Sequence, residues 1–204
     1  MKRIIYIVFA AFVLTMVPAA HACAQWEIDY PFEEINGPFY EGLACVMDDN
    51  EKWGFVDETG KVVIPYQWES ATYFNEGLAA VMDANDKWGF IDKTGKVVIP
   101  CQWKSAVVFS EGLAVVADDN DKCGFIDKTG KVVIPCQWKL TLYFFEGLAA
   151  VMDANEKWGF IDKTGMLVIP CQWKYTLYFE NGKAMVMDDN DNIHYIDKTG
   201  KIVE

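Results

Sequence analysis

Few residue types in this 204-residue chain could do chemistry, and most of them recur every 35 positions. The six cysteines are Cys23, Cys45, Cys101, Cys123, Cys136 and Cys171. No two are spaced C-x-x-C, so neither a dithiol redox pair nor a zinc knuckle is written into the chain. Cys101, Cys136 and Cys171 each follow an Ile-Pro pair and precede Gln-Trp, where Tyr66 stands in an earlier copy. A position that takes either Tyr or Cys reads as a packing site with a free thiol, although an oxidising compartment leaves a disulfide open. Cys45 stands where other copies have Ala80, Val115 and Ala150, and Cys123 replaces a Trp; both read as small-volume core substitutions. Histidine occurs only as His21 and His194, too few and too far apart for a multi-histidine zinc site. Ser70, Ser105 and Ser110 are the only serines, and none sits in a nucleophile elbow or a P-loop.

The carboxylates are periodic as well. Asp48-Asp49-Asn50-Glu51 returns as Asp83-Ala84-Asn85-Asp86, Asp118-Asp119-Asn120-Asp121, Asp153-Ala154-Asn155-Glu156 and Asp188-Asp189-Asn190-Asp191. Stacked, such turns could offer hard oxygen ligands to Ca²⁺. The spacing is not that of an EF-hand, and Asp and Asn favour turns through bonds to their own backbone, so diffuse attraction of cations is the expectation and no metal or cofactor is assigned. A glycosidase needs two carboxyls in unlike environments. Repetition gives equal residues equal roles, which points away from an enzyme.

Aromatic rings are the remaining candidates. Gln67-Trp68, Gln102-Trp103, Gln137-Trp138 and Gln172-Trp173 form a periodic set in which an indole could stack on a sugar ring while the amide grips hydroxyls. The other reading is a core ladder of indoles. For Trp53, Trp88 and Trp158, which alternate with Phe on one face, the core is expected.

These residues are positioned by one string, KWGFIDKTGKVVI at Lys87–Ile99, which recurs at Lys52, Lys122 and Lys157 and, worn, at Asn192. A fixed period of this size means a repeat architecture. Residues 30–204 make five units, 30–64, 65–99, 100–134, 135–169 and 170–204, with no insertion between them. Uniform register predicts that each unit stacks on the next. Within the second unit, strands are predicted over Leu78–Asp83, Trp88–Ile91 and Val97–Ile99, with the segment Gln102–Phe109 as a fourth. Asp92-Lys93-Thr94-Gly95 suits a type I turn closed by a glycine at positive φ, and Pro100 is expected to end the third strand. Alternation places Leu78, Ala80 and Met82 opposite Ala79 and Val81, with both faces apolar, so both must be covered. The Gly of Trp-Gly is expected to admit a ring from an adjacent unit. Lys183 and Ile193-His194-Tyr195 replace apolar residues and Trp-Gly-Phe in the last unit, which predicts a more polar outer side.

The unit Trp-Gly-Phe-Ile-Asp-x-x-Gly-Lys-x-Val-Ile-Pro, preceded by Phe-x-Glu-Gly-Leu-Ala-x-Val, resembles the WG (KWG) repeat of bacterial proteins from Phe39 onward. The resemblance implies β-rich repeats and carries no catalytic residues with it. The expected fold is therefore all-β: short antiparallel hairpins or three-stranded meanders stacked as a β-solenoid. A five-bladed propeller-like ring is the alternative.

Met1-Lys2-Arg3, the apolar run Ile4–Val17 and Ala20–Ala24 have the layout of a signal peptide over 1–24, followed by a lead-in over 25–38. A retained anchor or a lipid on Cys23 would be the only route to a membrane. Loss of Lys2 and Arg3 takes the formal charge from −12 to −14. Arg3 is also the only arginine. An acidic protein without guanidinium forks suits neither nucleic acid nor nucleotides. The chain is thus expected to be a non-catalytic secreted, periplasmic or envelope-associated module that scaffolds a protein partner, with an envelope glycan as the alternative ligand.

Overall fold

The computed structural model describes residues 39–203. The leader, the lead-in and Cys23 lie outside the described residues. All regular elements in that span are strands. The first sheet is β1 (Leu43–Met47), β2 (Trp53–Asp57) and β3 (Val62–Trp68). The second is β4 (Ser70–Ala71), β5 (Leu78–Met82), β6 (Trp88–Asp92) and β7 (Val97–Trp103), and the third is β8 (Ser105–Ser110), β9 (Leu113–Ala117), β10 (Cys123–Asp127) and β11 (Val132–Trp138). Then come β12 (Leu140–Thr141), β13 (Leu148–Met152), β14 (Trp158–Asp162) and β15 (Leu167–Trp173), and last β16 (Tyr175–Thr176), β17 (Lys183–Met187), β18 (Ile193–Asp197) and β19 (Ile202–Val203). Each is an antiparallel meander. The segment expected as a fourth strand is shared: Gln102-Trp103 ends β7, and β8 opens the next sheet.

Turn chemistry closes the meanders as the spacing predicts. Asp92 N–H bonds Lys96 O, Gly95 N–H bonds Asp92 O, and Gly95 has φ +84°. The Asp92 carboxylate accepts from the Thr94 N–H at 2.9 Å and the Lys96 N–H at 3.1 Å, fixing the loop from inside. A second kind of turn precedes β1 as Glu41-Gly42 and joins the first strand to the second as Glu76-Gly77, Glu111-Gly112 and Glu146-Gly147 in the next three sheets and as Asn181-Gly182 in the last. Glu76 (φ 53°) and Gly77 (φ 87°) both lie in the left-handed region, the conformation of a type I′ turn.

Successive sheets pack face to face. Leu78, Ala80, Trp88, Phe90 and Ile99 of the second sheet meet Ala106, Phe109, Ala114, Val116 and Ile126 of the third. The alternate residues Ala79, Val81 and Ile91 face back onto Phe55 and Ile64 of the first. At the centre of each junction stands a pair of buried phenylalanines with ring centroids 4.8 Å apart: Phe55–Phe74, Phe90–Phe109, Phe125–Phe144 and Phe160–Phe179. At about 25 cal/mol/Å² over 150–250 Å² per ring, such a pair contributes on the order of 10 kcal/mol, as an upper figure. One 35-residue unit has no such partner and could not bury both its faces alone.

Three expectations are corrected. Pro100 does not end the third strand: β7 runs on to Trp103, and the register jumps from Phe90↔Ile99 to Trp88↔Trp103, so the proline sits on an edge strand at a bulge, where its missing N–H costs no ladder bond. That bulge also explains the Trp-Gly glycine. A Cβ on Gly89 would stand 2.5 Å from Ile99 O and 2.7 Å from Cys101 N, so the glycine makes room for the neighbouring strand of its own sheet, not for a ring from another unit. Finally, the outer side of the last sheet is not simply polar. Lys183 is exposed, but Ile193 (61 %) and Tyr195 (52 %) occupy positions that are buried Trp and Phe in the sheet before.

Candidate functional site

A ladder of side chains crosses every junction at the Glu-Gly turns. Glu76 accepts from the Gly112 N–H of the next unit at 3.0 Å and pairs at 3.1 Å with Lys128, whose ammonium also donates to Glu76 O at 2.9 Å. Glu41 with Gly77 and Lys93, Glu111 with Gly147 and Lys163, and Glu146 with Gly182 and Lys198 repeat the arrangement. This explains a glutamate in a left-handed turn position that usually takes Asn or Gly. Desolvation works against ionisation of Glu41, but the Lys93 ammonium and the Gly77 N–H outweigh it and hold the carboxyl below its ordinary value. The ladder stops at both ends: Glu58 stands where Lys93 does, and Asn181 where Glu146 does.

The acidic turns are likewise engaged internally. Asp83 accepts from the Asn85 N–H at 2.9 Å and the Lys87 N–H at 3.1 Å, and those bonds depress its pKa. Asp119 and Asp189 pair with Lys87 and Lys157 of the preceding unit. Among the described residues no group of three or more His, Cys, Asp or Glu side chains is gathered to hold a metal ion.

The Gln-Trp pairs are split by strand geometry. Consecutive residues of a strand point to opposite faces. Gln67, Gln102, Gln137 and Gln172 are exposed, whereas Trp68 and Trp173 are buried and Trp103 and Trp138 half-buried against the adjoining sheet. The four indole N–H groups are buried without a protein acceptor. An unpartnered donor costs about 1–3 kcal/mol, and the burial of an indole contributes about 4–6 kcal/mol, so packing prevails. Trp68 and Trp173 are therefore core, Trp103 and Trp138 are held partly within their junctions, and the amide of each pair faces solvent. Trp88 and Trp158 of the Trp-Gly set are buried and Trp53 half-buried.

Cys101, Cys123, Cys136 and Cys171 are half-buried free thiols, and Cys45 is half-buried with its Sγ 3.8 Å from Ala71 O. Cys101 packs in the junction between the first two sheets with Sγ 3.9 Å from Val81 O; burial, with the Asp83 charge, pushes its pKa up to about 11. Burial does the same for Cys123 and Cys171. Such thiols are packing groups at neutral pH, not nucleophiles.

Two surfaces escaped the sequence reading. One is the apolar pair that begins each outer strand: Val62-Val63, Val97-Val98, Val132-Val133 and Leu167-Val168 are all exposed, at 36–44 %. The Val-Val repeat carried the signal. The other is aromatic and lies beside the Glu-Gly turns. Tyr40 stacks on Tyr73 at 4.2 Å, and Phe145 lies 5.0 Å from Tyr178. Between them Tyr73, Asn75, Val108, Ser110, Tyr143 and Phe145 line a notch of about 180 Å³.

With this geometry the class is defined: a chain of antiparallel β-meanders in tandem, stapled at each junction by a Phe pair and a Glu–Lys bridge. The sequence matches the WG containing repeat family at residues 53–88, 88–123, 124–158 and 158–190, and the chain belongs to that family. No curated protein matches it. Solved structures resemble it in fold at 11 % identity: the computationally designed Ika8 protein (TM-score 0.54, 81 % of this chain and 58 % of that one), BamB from Moraxella catarrhalis (0.48, 80 % and 60 %) and the WD40 beta propeller domain of Doa1 (0.44, 80 % and 64 %). The chain thus spans about three fifths of the length of the structures it resembles.

Proposed function

We propose that this protein is a non-catalytic scaffold, secreted or held at the cell envelope, that binds a protein partner along its outer strands. The observation that carries this reading is the exposed apolar pair repeated on β3, β7, β11 and β15. Side chains of this kind, left in water once per unit, offer a partner a row of equivalent apolar contacts. Pro65, Pro100, Pro135 and Pro170 lie within the same strands and interrupt their free edges, so a partner docks by side-chain packing and not by adding a strand. The non-catalytic part is supported by the carboxylates, whose recurring members are spent on turns and on the ladder. Glycan binding through the Gln-Trp positions is the weaker reading, because the exposed half of each pair is an amide without its ring.

Val98→Lys with Val133→Lys tests the proposal, since both positions already face solvent and the fold should tolerate them. In photo-crosslinking with an envelope fraction, the parent protein should give a discrete adduct that the double variant loses, with the melting temperature unchanged. An adduct pattern identical for both proteins would overturn it.

A further inference from the structure

The notch beside the Glu-Gly turns comes from one departure in the repeat. The wall position is Tyr73, Val108, Tyr143 and Tyr178 in successive units, and the position two residues on is Asn75, Ser110, Phe145 and Glu180. The third unit thus has Val-x-Ser where the fourth has Tyr-x-Phe. Its inner strand differs too: β8 runs six residues through Val107-Val108, while β4, β12 and β16 have two each. Val108 becomes a buried floor, and Tyr73 of the unit before it and Tyr143 of the unit after it line the notch on either side. A cavity of about 150 Å³ takes one benzene ring, so about 180 Å³ has room for a single six-membered ring.

The polar groups choose among such rings. Ser110 Oγ–H donates to Phe144 O at 2.8 Å, and one Asn75 Nδ2 hydrogen goes to Phe109 O at 2.7 Å. What these side chains still offer the notch is chiefly acceptor capacity, on Ser110 Oγ and Asn75 Oδ1. A proline-rich peptide brings carbonyl acceptors and no donors of its own, and so leaves both oxygens unmatched. Two hydroxyls of a sugar can donate, one to each oxygen, while the apolar face of its ring lies on a tyrosine. Charge points the same way: Glu76 and Glu111, next to Asn75 and Ser110, are neutralised by Lys128 and Lys163, so no unpaired charge at the rim favours an ionic ligand. We propose that the notch between Tyr73 and Tyr143 binds one pyranose ring of a neutral glycan. The site is separate from the outer strands, and its failure would leave the protein-partner reading standing.

The test is saturation-transfer NMR on the full chain with cellotetraose, chitotetraose and maltotetraose, and with a proline decapeptide as the peptide arm. One ring held by two tyrosines should give a Kd on the order of 1–10 mM for at least one of the sugars. Val108→Tyr restores the residue of the neighbouring units and fills the notch, and should weaken that binding at least tenfold at an unchanged melting temperature. Tyr143→Leu should give the same loss by removing a wall, and serves if Val108→Tyr does not fold. No transfer from any of the three sugars at about 10 mM, sugar binding that both variants leave intact, or transfer from the decapeptide alone would each overturn the proposal.

Discussion

Gly89→Ala is the sharpest test of how the unit is built. The glycine has no left-handed backbone to maintain, so alanine there would by itself stabilise the chain by about 0.4–1 kcal/mol through the unfolded state. Against this, the new methyl would stand 2.5 Å from Ile99 O, 2.7 Å from Cys101 N and 2.8 Å from Pro100 C, all backbone atoms that cannot swing aside. Ordinary contact needs about 1 Å more. β7 must move by that much, which adds about 1–3 kcal/mol of overpacking to the loss of a ladder hydrogen bond worth about 1 kcal/mol. The net is about 2–3 kcal/mol of destabilisation, or roughly 4–12 °C in melting temperature for a protein of this size. Scanning calorimetry reads it, with Gly77→Ala as the control: that glycine sits at φ +87° with nothing within 4 Å of its Cβ, so only backbone strain of about 1–2 kcal/mol applies. If Gly89→Ala melts within 1 °C of the parent, the bulge is not what the glycine serves.

Acid should weaken the array through its turns and its ladder. Asp57, Asp92, Asp127, Asp162 and Asp197 have pKa values below their ordinary 3.8, each first through the Thr hydroxyl two residues on, and Glu41 lies below its ordinary 4.5. A depressed carboxylate stabilises the fold fully above its unfolded pKa and less as pH falls through the folded one. The melting temperature should therefore hold from neutrality to about pH 5 and fall below about pH 4; a midpoint that rises on acidification would contradict the assignment. Glu76→Ala, which removes the bridge to Lys128 and leaves the Gly112 N–H without its acceptor, should cost about 1–2 kcal/mol by denaturant titration. With Cys101, Cys123 and Cys171 pushed up to about 11, native protein at pH 8 should react with a disulfide reagent far more slowly than the same protein in denaturant. Equal rates in both would refute their burial.

The repeat, the strands, the turns and the two apolar faces were legible because each has a local signature: Asp-x-x-Gly for the turn, and Leu78/Ala80/Met82 against Ala79/Val81 for the faces. What escaped depends on which strand lies beside which. Nothing in Ile-Pro-Cys-Gln-Trp announces a bulge, so Gly89 looked like a seat for a distant ring when its neighbour is the backbone of its own sheet. The Gln-Trp pairs read as a wet edge because amide and indole are adjacent in the chain, although adjacency in a strand puts them on opposite faces. The Glu–Gly–Lys ladder was hidden for another reason. Its partners, Glu76 and Lys128, are 52 residues apart, and only stacking makes them neighbours. The notch was hidden similarly, since a Val at one copy of a Tyr position looks like drift until the flanking rings are seen to line the gap above it.

The unpaired rungs at Glu58 and Asn181 bear on how such an array can lengthen. An internal copy must bring both a lysine for the unit behind it and a glutamate for the unit ahead, and only the second, third and fourth copies carry both. Duplicating the first copy inward would set Glu58 against another carboxylate, while duplicating the last would insert a rung with no acid at all. By this pairing alone, tandem duplication of the second, third or fourth copy would keep every rung filled, whereas duplication of the first or last would not.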